Sequence, residues 1–168
     1  SFKMDISDPI TGTLSIGDAY QSDTANVTFT WSGFIDEQSG INDYHYALGT
    51  EPGTENIIPR TPLGLNADFS SLAITIGSLA LEVNQTYYGT VYAIDKVNNE
   101  TFAISDGLTI DRDGPEDGII TDGGPVDIAY TNDTTSASAS WEDFYDFNGI
   151  NRYELSLNTT TEEGSNVV

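Results

Sequence analysis

One histidine, no cysteine and a large excess of carboxylates set the range of chemistry open to this chain. His45, the sole imidazole, stands between Tyr44 and Tyr46 in an alternating run, and no Gly-x-Ser-x-Gly motif accompanies it. It therefore reads as a solvent-facing strand residue and not as a general base. The adjacent acids Asp36 with Glu37, and Glu142 with Asp143, have the residue types of a glycosidase pair. Such a pair must face itself across about 5–9.5 Å, whereas neighbours on a strand point to opposite faces. Without thiols there is no thiolate nucleophile, Cys-ligated zinc, iron–sulfur cluster or disulfide. No catalytic residue is assigned, and no enzymatic activity is expected.

Hard oxygen ligands are the chemistry the chain does offer, because calcium takes carboxylates mixed with backbone carbonyls. Asp111, Asp113, Glu116 and Asp117 crowd one short segment, and Asp5 and Asp8 crowd a matching one near the start. Asp5, Asp8, Asp111, Asp113 and Asp117 are the candidate calcium ligands, with acids that cap turns and solubilise as the plainer reading. The Asp-x-Asp-x-Asp-Gly loop of an EF-hand is missing. Asn-x-Thr sequons at Asn26, Asn84, Asn99, Asn132 and Asn158 are candidate glycosylation sites. Tyr88 and Tyr92 fall on one face of one alternating run and are candidates for a sugar platform. No organic cofactor is expected.

The 168 residues carry 27 Asp plus Glu against 5 Lys plus Arg, a net charge of −22. Such a field repels phosphate backbones and anionic lipid, which excludes nucleic acid as a partner and argues against a membrane surface. No apolar run of about 18 residues and no basic-then-apolar leader is present, so neither a spanning helix nor a signal peptide is visible. The chain opens on Ser1, as a fragment of a longer polypeptide would.

These residues must be positioned by strands. Val27, Phe29 and Trp31 alternate with polar neighbours, as do Tyr44, Tyr46 and Leu48, and Tyr87, Gly89, Val91 and Ala93. Ala73–Ile76 and Gly107–Ile110 add short runs, and the turn-rich connections are too short for crossover helices. The fold class this predicts is all-β, an antiparallel β-sandwich, with Trp31, Phe34, Tyr44, Tyr46, Tyr87 and Val91 in its core.

The sequence also repeats itself. Trp31-Ser-Gly-Phe34-Ile-Asp36 returns 110 residues later as Trp141-Glu-Asp-Phe144-Tyr-Asp146, and Gly40-Ile-Asn-Asp-Tyr44 returns as Gly149-Ile-Asn-Arg-Tyr153. Met4-Asp-Ile-Ser-Asp-Pro9 lines up with Ile110-Asp-Arg-Asp-Gly-Pro115. The expected organisation is residues 1–7 as the last strand of a preceding repeat, 8–113 as a complete domain, and 114–168 as the first three strands of a following one. Trp31 and Trp141 should then be equivalently buried.

Trp31, Tyr44-His45-Tyr46 and Leu81-Glu-Val-Asn-Gln-Thr-Tyr87 together resemble a fibronectin type III domain, in which Tyr87 would be the tyrosine corner. Val83 stands where that family usually has Pro, and residues 51–71 exceed a minimal module. The repeated Trp-x-x-Phe-x-Asp and Gly-Ile-x-x-Tyr signature resembles tandem arrays of large extracellular and cell-surface proteins. The resemblance implies a non-catalytic stalk, adhesin or filament subunit outside the cell or on its surface, which the hinge acids would stiffen with calcium and the sequons would glycosylate. Its partners would be neighbouring repeats or subunits, met head to tail through strand or hinge contacts, among them insertion of the strand at residues 2–6 into an open unit. The alternative is a carbohydrate-binding or accessory module of a secreted enzyme, separated from the first reading by glycan binding that Tyr92→Ala abolishes.

Overall fold

The computed structural model describes residues 3–64, 72–123 and 130–157. The chain divides into two compact units, Ser1–Arg112 and Asp113–Val168. Among the described residues every regular element is a strand.

In the first unit a three-stranded sheet has the order β1 (Thr13–Ser15), β3 (Val27–Ser32), β6 (Ala73–Ile76). A larger sheet runs β2 (Tyr20–Gln21), β9 (Leu108–Ile110), β7 (Thr86–Asp95), β4 (Ile41–Gly49), β5 (Ile58–Pro62), with β8 (Glu100–Ile104) also on β7. All pairings are antiparallel except β2 with β9. Period-2 alternation decides which face of each strand meets the other sheet. On β3, Val27, Phe29 and Trp31 are buried while Thr28, Thr30 and Ser32 are exposed.

Facing them are Tyr44 and Leu48 of β4 and Tyr87, Val91 and Ala93 of β7. The layers lock through tilted rings: Phe29 to Tyr46 at 5.7 Å, Trp31 to Tyr44 at 5.4 Å and Phe34 to Tyr44 at 5.8 Å between centroids. Tyr46 is only partly buried at the margin of this core. The Tyr87 ring is buried, and its phenol oxygen accepts the Glu82 N–H at 2.8 Å, the tyrosine corner that the sequence implied.

One edge of β7 serves two strands. Tyr87 is opposite Leu108 and Thr90 is opposite Ile104, so the partner strand slips by one residue between β8 and β9. Ser105 absorbs the slip: its N–H donates to Gly89 O, and its hydroxyl accepts the Gly89 N–H, both at 2.9 Å. Gly89 must lack a side chain because a Cβ there would meet Ile16 and Phe29 in the core.

The second unit contains β10 (Ile119–Asp122) paired with β11 (Ala139–Glu142). Its internal geometry repeats that of β1 and β3. Ile120 pairs with Trp141 as Leu14 pairs with Trp31, and the isolated bridge Glu116 to Tyr145 matches Ile10 to Ile35. Tyr153 lies 5.6 Å from Trp141 and 5.9 Å from Phe144, the same triangle as Tyr44 with Trp31 and Phe34. Gly118, like Gly12, sits where a Cβ would strike the Phe ring that follows the tryptophan.

Burial departs from the expected equivalence. Trp31 is 4% exposed and Trp141 is 45% exposed. Trp31 is covered by a second sheet, whereas among the described residues of the second unit β10 and β11 stand alone. The third strand expected around Tyr153–Leu157 is not formed: among the described residues no strand pairs with this stretch to satisfy its backbone groups. Likewise residues 3–9 form no strand, and Met4 and Ile6 are exposed.

Candidate functional site

At one end of the first unit three segments converge: residues 3–9 before β1, the β3–β4 loop and the β7–β8 turn. Each carries an aspartate fixed by short-range donors. Asp36 Oδ1 accepts the N–H groups of Gln38, Ser39 and Gly40 at 3.1, 2.6 and 2.6 Å, and the Ser39 hydroxyl at 3.3 Å. This wrapped loop needs Gly40 at φ 82°. Asp95 Oδ1 accepts Val97 N and Asn99 N, and its Oδ2 accepts Asn99 Nδ2, all at 2.8 Å, across a turn with Asn98 at φ 72°. Asp5 Oδ1 accepts the Ser7 N–H and hydroxyl at 3.1 and 3.0 Å. The Gln38 amide donates to the Ser7 hydroxyl, tying the β3–β4 loop to residues 3–9.

One carboxylate oxygen from each of Asp5, Asp36 and Asp95 lies within 4.8 Å of the other two. Asp95 has no exposed surface, and Asp5 and Asp36 are half-buried. The Ser39 hydroxyl, with the Ser7 donors, holds the Asp5 carboxyl below the usual range. Burial pushes Asp95 up, but the Val97 and Asn99 donors outweigh it and its net shift is downward.

Of the five acids that the sequence singled out as calcium ligands, only Asp5 belongs to this cluster. Asp8, Asp113 and Asp117 are exposed, Asp111 is half-buried at the end of β9, and all four lie outside it. Asp36 had a visible signal, because it recurs as Asp146. Asp95 had none, since its neighbours in the cluster are distant in sequence.

The outer face of the larger sheet holds a second constellation. Arg60 on β5 forms a two-pronged ion pair with Glu100 on β8 at 2.6 and 3.3 Å, and its Nε donates to His45 Nδ1 at 3.0 Å. Its guanidinium carbon stands 4.0 Å from the centre of the Tyr92 ring. The Tyr92 hydroxyl donates to Glu55 at 2.8 Å, and His45 Nε2 approaches Asp43 at 3.4 Å. His45 thus lies on the outer face as expected, though half-buried in this network.

Tyr88 and Tyr92 share that face as the alternation required, both half-buried. Arg60 covers one side of the Tyr92 ring, and Phe102 packs 5.8 Å away at a tilt. Arg60, Glu55 and Glu100 were not legible as site residues, for they come from segments with no periodic pattern.

Burial, then the hydrogen bond to Glu55, pushes the Tyr92 phenol up to about 12. A folded value above the unfolded one of about 10 favours the neutral phenol in the native state. Its stabilisation is complete below about pH 10 and is lost as pH rises through 12. In an alkaline titration followed by phenolate absorbance, one phenol should ionise later in the wild type than any in Tyr92→Phe. The variant should also lose less stability above pH 10. Matching curves would show that Glu55 and burial leave this phenol unaffected.

Among the sequons, Asn84 lies exposed in a turn at φ 62°, and Asn132 is exposed in the β10–β11 connection. The amide nitrogens of Asn26 and Asn99 donate to Asp23 and Asp95, each at 2.8 Å. Asn158 lies outside the described residues.

Strand order, core tryptophan and tyrosine corner define the class as an all-β, fibronectin type III-like sandwich. The chain is similar to the crystal structure of an Fn3-like protein from Clostridium thermocellum, at 25% identity over 60% of this chain and 94% of that one, with a TM-score of 0.37. No family model matches the sequence, and no curated protein does.

Proposed function

We propose that the chain is a structural, non-catalytic module from a tandem array of extracellular or cell-surface domains, serving as stalk, adhesin or filament subunit. The observation that carries this reading is the recurrence in the second unit of the first unit's hairpin, glycine and aromatic triangle, residue for residue. A repeated scaffold is what a spacer requires. Asn84 and Asn132 stand exposed in a turn and a strand connection, positions where a glycan is accommodated. The carbohydrate-binding alternative is weakened by the guanidinium on the Tyr92 ring, which occupies a face that a sugar would stack on.

The test is an antibody raised to this chain and used on intact cells of the source. The native band should run well above 18.1 kDa and disappear when protease is added outside the cells. A band near that mass, protected until lysis, would reject the array and its location together.

A further inference from the structure

We propose that Asp5, Asp36 and Asp95 hold a divalent cation of the calcium class that clasps the segment before β1 to the β3–β4 loop and the β7–β8 turn. Crowded acids alone would not carry this, because a chain of charge −22 has many. Two further features point to a ligand. Asp5 Oδ2 has essentially no accessible surface and no hydrogen-bond donor, so it is a buried acceptor in need of a positive partner. Asp95 is wholly buried, yet among the described residues no Lys or Arg nitrogen comes within 4.0 Å of any of the three carboxylates. Hydrogen bonds keep these carboxylates charged, yet no cationic side chain among the described residues neutralises them, and a bound cation supplies that countercharge.

The dimensions fit. Calcium–oxygen bonds of about 2.3–2.6 Å place ligands on opposite sides of the ion about 5 Å apart, which matches three oxygens all within 4.8 Å of one another. The donors on Asp36 Oδ1 and Asp95 Oδ1 fix both carboxylates before a cation arrives, so little ordering is required on binding. A competitor at hand is Lys96, whose ammonium stands beside Gly40 of the β3–β4 loop. This proposal does not rest on the array reading, because every ligand comes from the first unit.

The experiment is calorimetric titration of the whole chain, freed of metal by chelator, with calcium chloride, magnesium chloride and sodium chloride of equal ionic strength. Melting and hydrogen exchange are followed alongside. Calcium should bind with a Kd of about 0.1–1 mM, as in extracellular modules, raise the melting temperature, and slow exchange in residues 4–9. Asp5→Asn lies outside any strand and should fold normally while weakening calcium binding about tenfold or more; Asp36→Asn should do the same. Asp117→Asn should match the wild type. The proposal is overturned by no calcium heat, by an equal response to sodium at matched ionic strength, or by Asp5→Asn binding calcium as the wild type does.

Discussion

Replacing Trp31 with alanine should lower unfolding stability by about 3–5 kcal/mol, the range for deleting a large buried aromatic. The indole is 4% exposed and packs on Tyr44 across the two sheets, so its removal leaves a void that neighbouring rings cannot fill without leaving their own contacts. Trp141→Ala is the internal control. That indole is 45% exposed, and its loss should cost well under half as much. Urea unfolding monitored by circular dichroism measures both, with a midpoint shift at unchanged slope as the expected form for Trp31. Equal effects of the two substitutions would mean that the second unit buries its tryptophan as deeply as the first.

Asp95→Ala should cost about 1–3 kcal/mol even in chelator, because Val97 N, Asn99 N and Asn99 Nδ2 all lose the acceptor that the buried carboxylate supplies. Its pH dependence is diagnostic. The folded carboxyl titrates below its unfolded value, so its contribution is present above about pH 4 and disappears as pH falls through the lower folded value. The wild type should therefore lose stability on acidification through this range, while Asp95→Ala, already without that contribution, should show a shallower acid limb. Asp95→Asn, which keeps an acceptor oxygen but not the charge, should recover part of the loss at neutral pH. Parallel acid limbs in wild type and Asp95→Ala would show that this carboxylate is energetically idle.

The core strands could be read in advance because alternation is a local property: Val27, Phe29 and Trp31 declare a buried face without knowing what covers it. What covers them is not local. The repeat equates Trp31 with Trp141 in residue type, yet burial depends on other strands, β4 and the sequence-distant β7. The small strands β2 and β8 escaped notice for a different reason. Tyr20–Gln21 is too short for periodicity, and Glu100, Phe102 and Ile104 mix charge with exposed apolar side chains on one face. The same limit governed the sites. Asp5 stood out in an acid-rich stretch, whereas Asp36 and Asp95 join it only through folding, and Arg60 reaches Glu100 and Tyr92 from a segment with no pattern to read.

The parallel pairing of β2 with β9 bears on how the first unit withstands being pulled by its ends. Thr109 N bonds Ala19 O and Asp111 N bonds Gln21 O, both at 2.9 Å, and the two strands belong to the opening and closing stretches of the unit. Tension then drags the two strands in opposite directions along their length. Once β1 is drawn taut, these bonds share the load in shear and must break together, instead of parting one at a time as at the end of a hairpin. Pulling on the ends of the unit therefore loads this clasp along the strands and not across them.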